Sequence, residues 1–114
     1  MGAGYVDIYL LPVREERISE YSERATTFGA IVKEYGGLGY REFRADDVGE
    51  GFATEGGLTM TAAVAEFDSR AHRDEVMENV MKDPRVVAMT EDEEEQIADM
   101  SAMRYGGFET FVAP

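Results

Sequence analysis

Cysteine is absent from this 114-residue chain, and basic residues are scarce. Without cysteine, the chain forms no disulfide and offers no thiolate to a substrate or a metal. Its 11 Lys and Arg stand against 24 Asp and Glu, a formal net charge of −13. Because phosphate backbones attract basic surfaces, we expect no nucleic-acid partner. The same charge disfavours contact with anionic membrane surfaces.

Long apolar runs are also missing. No run approaches the roughly 20 residues of a membrane-spanning helix, and no basic segment opens the sequence as in a signal peptide. We therefore expect a cytoplasmic protein without a membrane partner. Apolar residues still make up 44% of the chain, enough for a packed core. The length favours one domain over residues 1–114.

The apolar residues recur with two different periods along the chain. Period-two alternation or continuous apolar character is typical of strands, and steps of three and four are typical of helices. The strands are predicted over 5–13, 38–44, 58–67 and 103–112, and the helices over 14–35 and 69–82. This order predicts an α+β, ferredoxin-like βαββαβ domain: a four-stranded antiparallel sheet with two helices on one face.

The first strand has one fully apolar face and one mixed face. Val6, Ile8 and Leu10 form the apolar set, and Pro12 is expected to end the strand. The mixed set of this strand is Tyr5, Asp7, Tyr9 and Leu11. We assign it to the sheet face that the helices leave uncovered, together with Tyr40 and Glu42 of the second strand and Tyr105 of the last. Such a face is about as large as the biggest apolar patches on monomers. We therefore expect a second copy of the chain to cover it, and we expect Tyr9→Glu to dissociate the homodimer.

Two residues are candidates for catalysis. Asp7 lies in the mixed face, where burial would raise the pKa of an unpaired carboxyl group; the alternative is an ion pair across the dimer with Arg41 or Arg104. His72 is the single histidine, and histidine is the side-chain type whose ordinary pKa lies near neutral pH. Its alternative role is to cap or pack the first turn of the second helix, which follows Ser69 as the predicted N-cap.

Several polar and aromatic residues are candidates for binding a small molecule. Tyrosines on a sheet can stack on an aromatic ligand, although such rings are also common anchors between subunits. No metal or cofactor is expected: zinc lacks ligands, and the acidic run 91–95 lacks the spacing and the glycine of a calcium loop. The methionines are interpreted as core filler. The ligand-binding candidates are Tyr9, Tyr40, Glu42, Arg73 and Tyr105.

Five short segments together resemble one protein family. They are Tyr5-Val6-Asp7 with Pro12-Val13, Tyr40-Arg41-Glu42, the run from Ser69 to Asp74, Asp83-Pro84-Arg85, and the run from Tyr105 to Glu109. In this order they are similar to the YbaA-like family, domain-of-unknown-function family 1428, a group of small uncharacterised bacterial proteins. The resemblance implies a dimeric α/β barrel, in which two sheets pack face to face. It implies no catalytic residue.

Two functions of different class are compatible with these residues. The first is a non-catalytic homodimer that serves as a structural or small-ligand-binding module. The second is a cofactor-independent enzyme, monooxygenase- or isomerase-like, that acts on a small aromatic compound in a cleft beside the sheet. The enzyme hypothesis requires a pocket of about 300 Å³ or more that Asp7 or His72 faces.

Overall fold

A computed structural model describes residues 3–90 and 97–114. The four strands are Tyr5–Arg14 (β1), Gly39–Arg44 (β2), Leu58–Phe67 (β3) and Arg104–Glu109 (β4). The helices are Ile18–Glu34 (α1), Arg70–Lys82 (α2) and Pro84–Thr90 (α3). Within the described ranges, no helix is long and apolar enough to cross a membrane. The acidic run 91–95 lies outside the described residues.

The strands form one antiparallel sheet in the order β2-β3-β1-β4. The long strands β1 and β3 are central, and the shorter strands β2 and β4 form the edges. The main core cluster joins β1 and β3 to both long helices, so the helices cover one face of the sheet. The predicted ferredoxin-like α+β fold is confirmed.

Local signals account for the helix ends. Helix α1 stops where Gly36 adopts a φ of 110° and the Gly37 N–H donates to the Val32 carbonyl at 2.9 Å, as in a glycine C-cap. The Ser69 hydroxyl caps α2 by accepting the His72 N–H at 3.1 Å. Helix α3 was not predicted, although it begins at Pro84, because proline also suits the first turn of a new helix.

Pro12 does not end β1, contrary to the prediction. It pairs with Met60 of β3, and β1 continues to Arg14. The Pro12 carbonyl accepts the Asp99 N–H at 2.9 Å, on the side away from β3. Because N and O of one strand residue point to the same side, the missing N–H also lies away from β3. The pairing of β1 with β4 ends at Leu10, so proline removes no bond from that ladder.

The predicted assignment of the two sheet faces is reversed in the structure. Tyr5 packs in the core with Ile31 of α1 and Val80 of α2, and Asp7 contacts Arg73 of α2. The mixed set of β1 therefore faces the helices, and the fully apolar set faces away from them. Alternation separates two faces but does not show which one the helices cover. Here the helices supply partners for polar groups, so the more apolar face is the uncovered one.

We call this uncovered side the open face. Its central strands contribute only apolar side chains near the middle of the sheet, and one phenylalanine extends it on each edge strand. Phe43 is 46% and Phe108 53% exposed. The register places on the open face Val6, Ile8, Leu10, Phe43, Met60, Ala62, Val64 and Phe108, together with the charged residues Arg41, Glu66 and Arg104.

Candidate functional site

A cavity of about 280 Å³ lies between the helix-covered side of the sheet and the helices, and it is partly open to solvent. Strands β1, β2 and β3 form its floor, and α1, α2, α3 and the segment 97–103 form its walls. The lining is mostly apolar, with a few polar groups on the floor. This composition is typical of small-molecule sites.

Glu42 is the carboxylate of the cavity, and two tyrosines hold it. The Tyr21 hydroxyl from α1 donates to Oε1 of Glu42, and the Tyr40 hydroxyl donates to Oε2, each at 2.5 Å. Burial, followed by the negative charge of Glu42, raises the pKa of Tyr40. The Tyr40 hydroxyl therefore stays protonated at neutral pH and acts as a donor to the carboxylate.

Tyr9 lies on the same floor and contacts a second carboxylate. Its hydroxyl donates to Oδ2 of Asp7 at 3.3 Å, and burial, followed by the charge of Asp7, raises the pKa of Tyr9. The ring stacks on Tyr105 of β4 with centroids 5.8 Å apart and an interplanar angle of 18°. Tyr105 is 72% exposed and lies outside the cavity lining, so it extends the aromatic floor toward the sheet edge.

Asp7 is buried but does not line the cavity. Its Oδ1 accepts a hydrogen bond from Nη1 of Arg73 at 2.5 Å. The Arg73 guanidinium also lies 5.1 Å from the centre of the Tyr5 ring. The expected ion pair with Arg41 or Arg104 is wrong, because both arginines lie on the opposite side of the sheet from Asp7. Arg73, a ligand candidate, instead neutralises a buried carboxylate beside the cavity.

His72 also lies outside the cavity lining. Its Nδ1 accepts the Asp68 N–H at 2.9 Å, and its ring meets Phe67 edge-on at 5.8 Å. These contacts fit the alternative role, in which the histidine packs the start of α2. Of the sequence-predicted residues, the cavity collects Tyr9, Tyr40 and Glu42.

Methionines and one helix tyrosine are cavity residues that the sequence interpretation missed. Five of the seven methionines line the cavity, although they were interpreted as core filler. The i,i+4 spacing of Met77 and Met81 signals one helix face, but it does not distinguish a filled core from a cavity. Tyr21 is not among the residues predicted to bind a ligand. The five cavity methionines are Met77, Met81, Met89, Met100 and Met103.

Metal ligands do not cluster in the described ranges: residues 3–90 and 97–114 contain no group of three or more His, Cys, Asp and Glu that could hold an ion. The polar groups of the cavity lining in these ranges are instead hydroxyls, the Glu42 carboxylate and the Arg24 guanidinium. Such a site can accept hydrogen bonds and protons from a ligand.

Two solved structures show the same fold at low sequence identity. SnoaB, a cofactor-independent oxygenase from Streptomyces nogalater, superposes with a TM-score of 0.61 and 11% identity, covering 97% of each chain. An uncharacterized NIPSNAP domain protein from Burkholderia xenovorans gives a TM-score of 0.64 and 15% identity, covering 96% of this chain and 98% of the other. At such identities, the likeness concerns the fold alone.

The sequence itself has nearer relatives. The uncharacterized protein YbaA of Escherichia coli (strain K12) is 31% identical over 116 aligned residues, which cover 95% of this chain and 97% of YbaA. Residues 4–99 match the model of the family described as protein of unknown function (DUF1428). The chain therefore belongs to the DUF1428 family.

Proposed function

We propose that this protein is a cytoplasmic homodimer that binds a small, largely apolar molecule in the cavity between its sheet and its helices. The observation that carries the proposal is that the cavity lining combines a large apolar part with a charged polar group. Methionines and Phe28 supply apolar contact, and the Glu42 carboxylate between Tyr21 and Tyr40 supplies a fixed polar group. Pockets of this kind orient a ligand through a few polar groups in an apolar wall. The volume of about 280 Å³ suits a one-ring or two-ring molecule.

The open face supports the homodimer. Four strands about 4.8 Å apart and about 20 Å long present roughly 400 Å² of projected area. The centre of this area is apolar, and Arg41 and Arg104 lie on the edge strands beside it. Large apolar patches rimmed by polar residues are typical of protein contacts. A second copy of the same face is the simplest cover, because symmetric dimers are the commonest oligomers.

Ligand binding is testable by NMR on protein labelled with 13C at the methionine methyl groups. We expect one-ring and two-ring probes at millimolar concentration, with indole as the first, to shift the methyl signals of the five cavity methionines. Met60 on the open face is an internal control and should not shift. Thioether methyl groups in contact with an aromatic ring report the ring directly.

A matched pair of variants localises the binding. Ala25 lines the cavity, whereas Ala30 is exposed on the same helix outside it. Ala25→Leu should fill the cavity and abolish the shifts, and Ala30→Leu should leave them unchanged. Absence of shifts in the unmodified protein, across neutral, cationic and anionic probes, would overturn the proposal.

A cofactor-independent enzyme is the second candidate. The observation that favours the enzyme is the Glu42 carboxylate, which Tyr21 holds in the cavity. The chain also shares its fold with SnoaB, a cofactor-independent oxygenase. Glu42, rather than Asp7 or His72, would accept a proton from an acidic hydroxyl group of the substrate. Asp7 already bonds to Arg73, and His72 lies outside the lining.

The enzyme hypothesis makes its own prediction. Oxygen uptake with a naphthalenediol should exceed the uncatalysed rate and should fall by about 100-fold or more in Glu42→Gln, a typical effect of removing a general base. Glu75→Gln, an exposed site on α2, is the control. Uptake at the uncatalysed rate would exclude this reaction and leave the binding function in place.

A further inference from the structure

Every hydroxyl group in the cavity lining already donates its proton within the protein. Tyr21 and Tyr40 donate to Glu42, and Tyr9 donates to Asp7. The two threonine hydroxyls donate to main-chain carbonyls at 2.8 Å, Thr61 to that of Leu11 and Thr90 to that of Val87. A hydroxyl has one proton and two lone pairs. These five groups can therefore offer a ligand acceptors but no donor without first breaking a bond.

Glu42 adds a negative charge to this set of acceptors. In the described ranges, Glu42 forms no ion pair. Arg44 lies in a second groove between α1 and β2, which Glu42 also lines, and pairs with Glu15 at 3.9 Å. The residues 91–96 outside those ranges include no Lys, Arg or His. Arg24 also lines the cavity, but it already has other interactions. A carboxylate in an apolar wall is best compensated by a cation.

The remaining surface of the cavity suits the apolar body of such a cation. The faces of tyrosine rings attract ammonium groups, and thioethers adapt their shape to aromatic or aliphatic groups. The net charge of −13 also favours the approach of cations over anions.

We infer that the cavity selects a protonated hydrophobic amine, whose ammonium group is bound by Glu42 and by the tyrosine hydroxyl oxygens, and whose apolar body lies against the methionines. The inference rests on the proposed binding function and specifies its ligand class. Carboxylates and phosphates are disfavoured, because each would meet Glu42 and hydroxyl groups without free protons. The cation of the lining, Arg24, already has other interactions. A neutral phenol or alcohol would satisfy an acceptor but would leave the charge of Glu42 uncompensated.

Three probes of nearly equal shape test the inference: 2-phenylethylamine, 2-phenylethanol and 3-phenylpropionate. Each is titrated at pH 7 into protein labelled with 13C at the methionine methyl groups. We expect the ammonium probe to bind at least tenfold more tightly than the alcohol. The carboxylate probe should give the weakest shifts at the cavity methionines, and Met60 should not respond to any probe.

Two variants test the role of Glu42 in opposite directions. Glu42→Gln should remove the preference for the amine over the alcohol, whereas Glu75→Gln should behave as the unmodified protein. Tyr21→Phe keeps the ring but removes one donor to Glu42, so amine affinity should persist or increase. An unchanged Met60 signal shows that each variant is folded.

The outcomes separate the inference from the proposed function. Binding of all three probes at the cavity with similar affinity would overturn the inference and support the binding function. A preference for the amine that survives Glu42→Gln, or is lost in Tyr21→Phe, would also overturn it. No binding of any probe would overturn both.

Discussion

Arg73 of α2 bonds to Asp7 of β1, 66 positions away in the sequence, through a contact of 2.5 Å between Nη1 and Oδ1. Asp7 is 4% exposed, so the pair lies inside the domain, beside the cavity. The pair explains how a strand face that carries a carboxylate can pack against the helices. Because Tyr9 donates its hydroxyl proton to Asp7, the ion pair also fixes the position of one hydroxyl group on the cavity floor.

Arg73→Met should be strongly destabilising, because it leaves the Asp7 carboxylate buried without a cation. Removing one partner of a buried pair typically costs about 3–5 kcal/mol of the free energy of unfolding. Urea denaturation measures the loss. The double variant Asp7→Asn with Arg73→Met should recover at least about 1 kcal/mol, because no charge then remains buried.

An exposed ion pair provides the control for this experiment. Lys82 and Glu78 are 3.1 Å apart, with side chains 71% and 67% exposed. Lys82→Met should therefore cost no more than about 0.5 kcal/mol. If Arg73→Met and Lys82→Met lower the free energy of unfolding equally, the buried pair contributes no more to stability than an exposed one.

The sequence predicted the elements of this fold well, because strands and helices give different apolar periods. It also grouped Tyr9, Tyr40 and Glu42 correctly on one sheet face, since side chains alternate strictly along a strand. The choice between the two faces failed. That choice relied on the apolar content of each face. The mixed face can be buried because Arg73 pairs with Asp7, and Arg73 lies on another element, the helix α2.

The cavity was less predictable than the sheet. Tyr21 reaches Glu42 from α1, and the methionines come from segments far apart in the chain. Periodicity places a residue on a face of its own element, but it does not show which face of another element lies opposite. A cavity and a filled core also need the same apolar residues, and they differ only in the space left between them.

The pH dependence of stability should report the contacts of Asp83. Two hydrogen bonds from the Arg85 side chain and one from the Tyr35 hydroxyl hold the pKa of Asp83 well below its usual range. A folded-state pKa below the unfolded value of about 3.9 contributes stability above pH 4 that is lost as the pH falls. In Arg85→Met, the free energy of unfolding should therefore fall less steeply between pH 4 and pH 2.

The second partner of Arg85 supplies the matched control. Arg85 also donates to Glu34 at 2.8 Å, so Glu34→Gln removes the charge of that second partner and leaves the contact with Asp83. Below pH 4, the free energy of unfolding of Glu34→Gln, measured in urea, should therefore change with pH much as it does in the unmodified protein. The profile of Arg85→Met should deviate more. Identical slopes for Arg85→Met and the unmodified protein would contradict the prediction.

Gly29 of α1 is required for space rather than for backbone conformation. An Ala in place of Gly inside a helix usually stabilises by about 0.5–1 kcal/mol. At this site, however, a Cβ atom would overlap the Tyr40 ring. We expect Gly29→Ala to lower the free energy of unfolding by about 1–3 kcal/mol, as overpacked sites do.

Thermal unfolding with a second glycine variant tests this explanation. A Cβ atom at Gly51 would meet nothing within 4 Å, so Gly51→Ala should change stability by less than about 0.5 kcal/mol. A Gly29→Ala variant that is more stable than the unmodified protein would show that Tyr40 can move aside.

The open face gives the variant that tests the homodimer. Tyr9→Glu no longer serves, because Tyr9 faces the cavity. Val64 lies opposite Ile8 at the centre of the open face. In a face-to-face dimer, Val64→Glu would bury a carboxylate in the interface. Its cross-strand neighbour Arg41 would offset only part of the cost of removing the charge from water, so the dimer should be destabilised. Light scattering at micromolar concentration should give twice 12.7 kDa for the unmodified protein and 12.7 kDa for Val64→Glu.

Val48→Glu makes the same chemical change away from the sheet. Val48 is 44% exposed in the connection between β2 and β3, so this variant should keep the mass of the dimer. If both variants dissociate, added negative charge on a chain that already carries −13 is the cause, rather than burial at the open face. If the unmodified protein is a monomer, the homodimer prediction is wrong and a second copy of the chain does not bind the open face. If Val64→Glu alone dissociates, the contact is specific to the sheet centre.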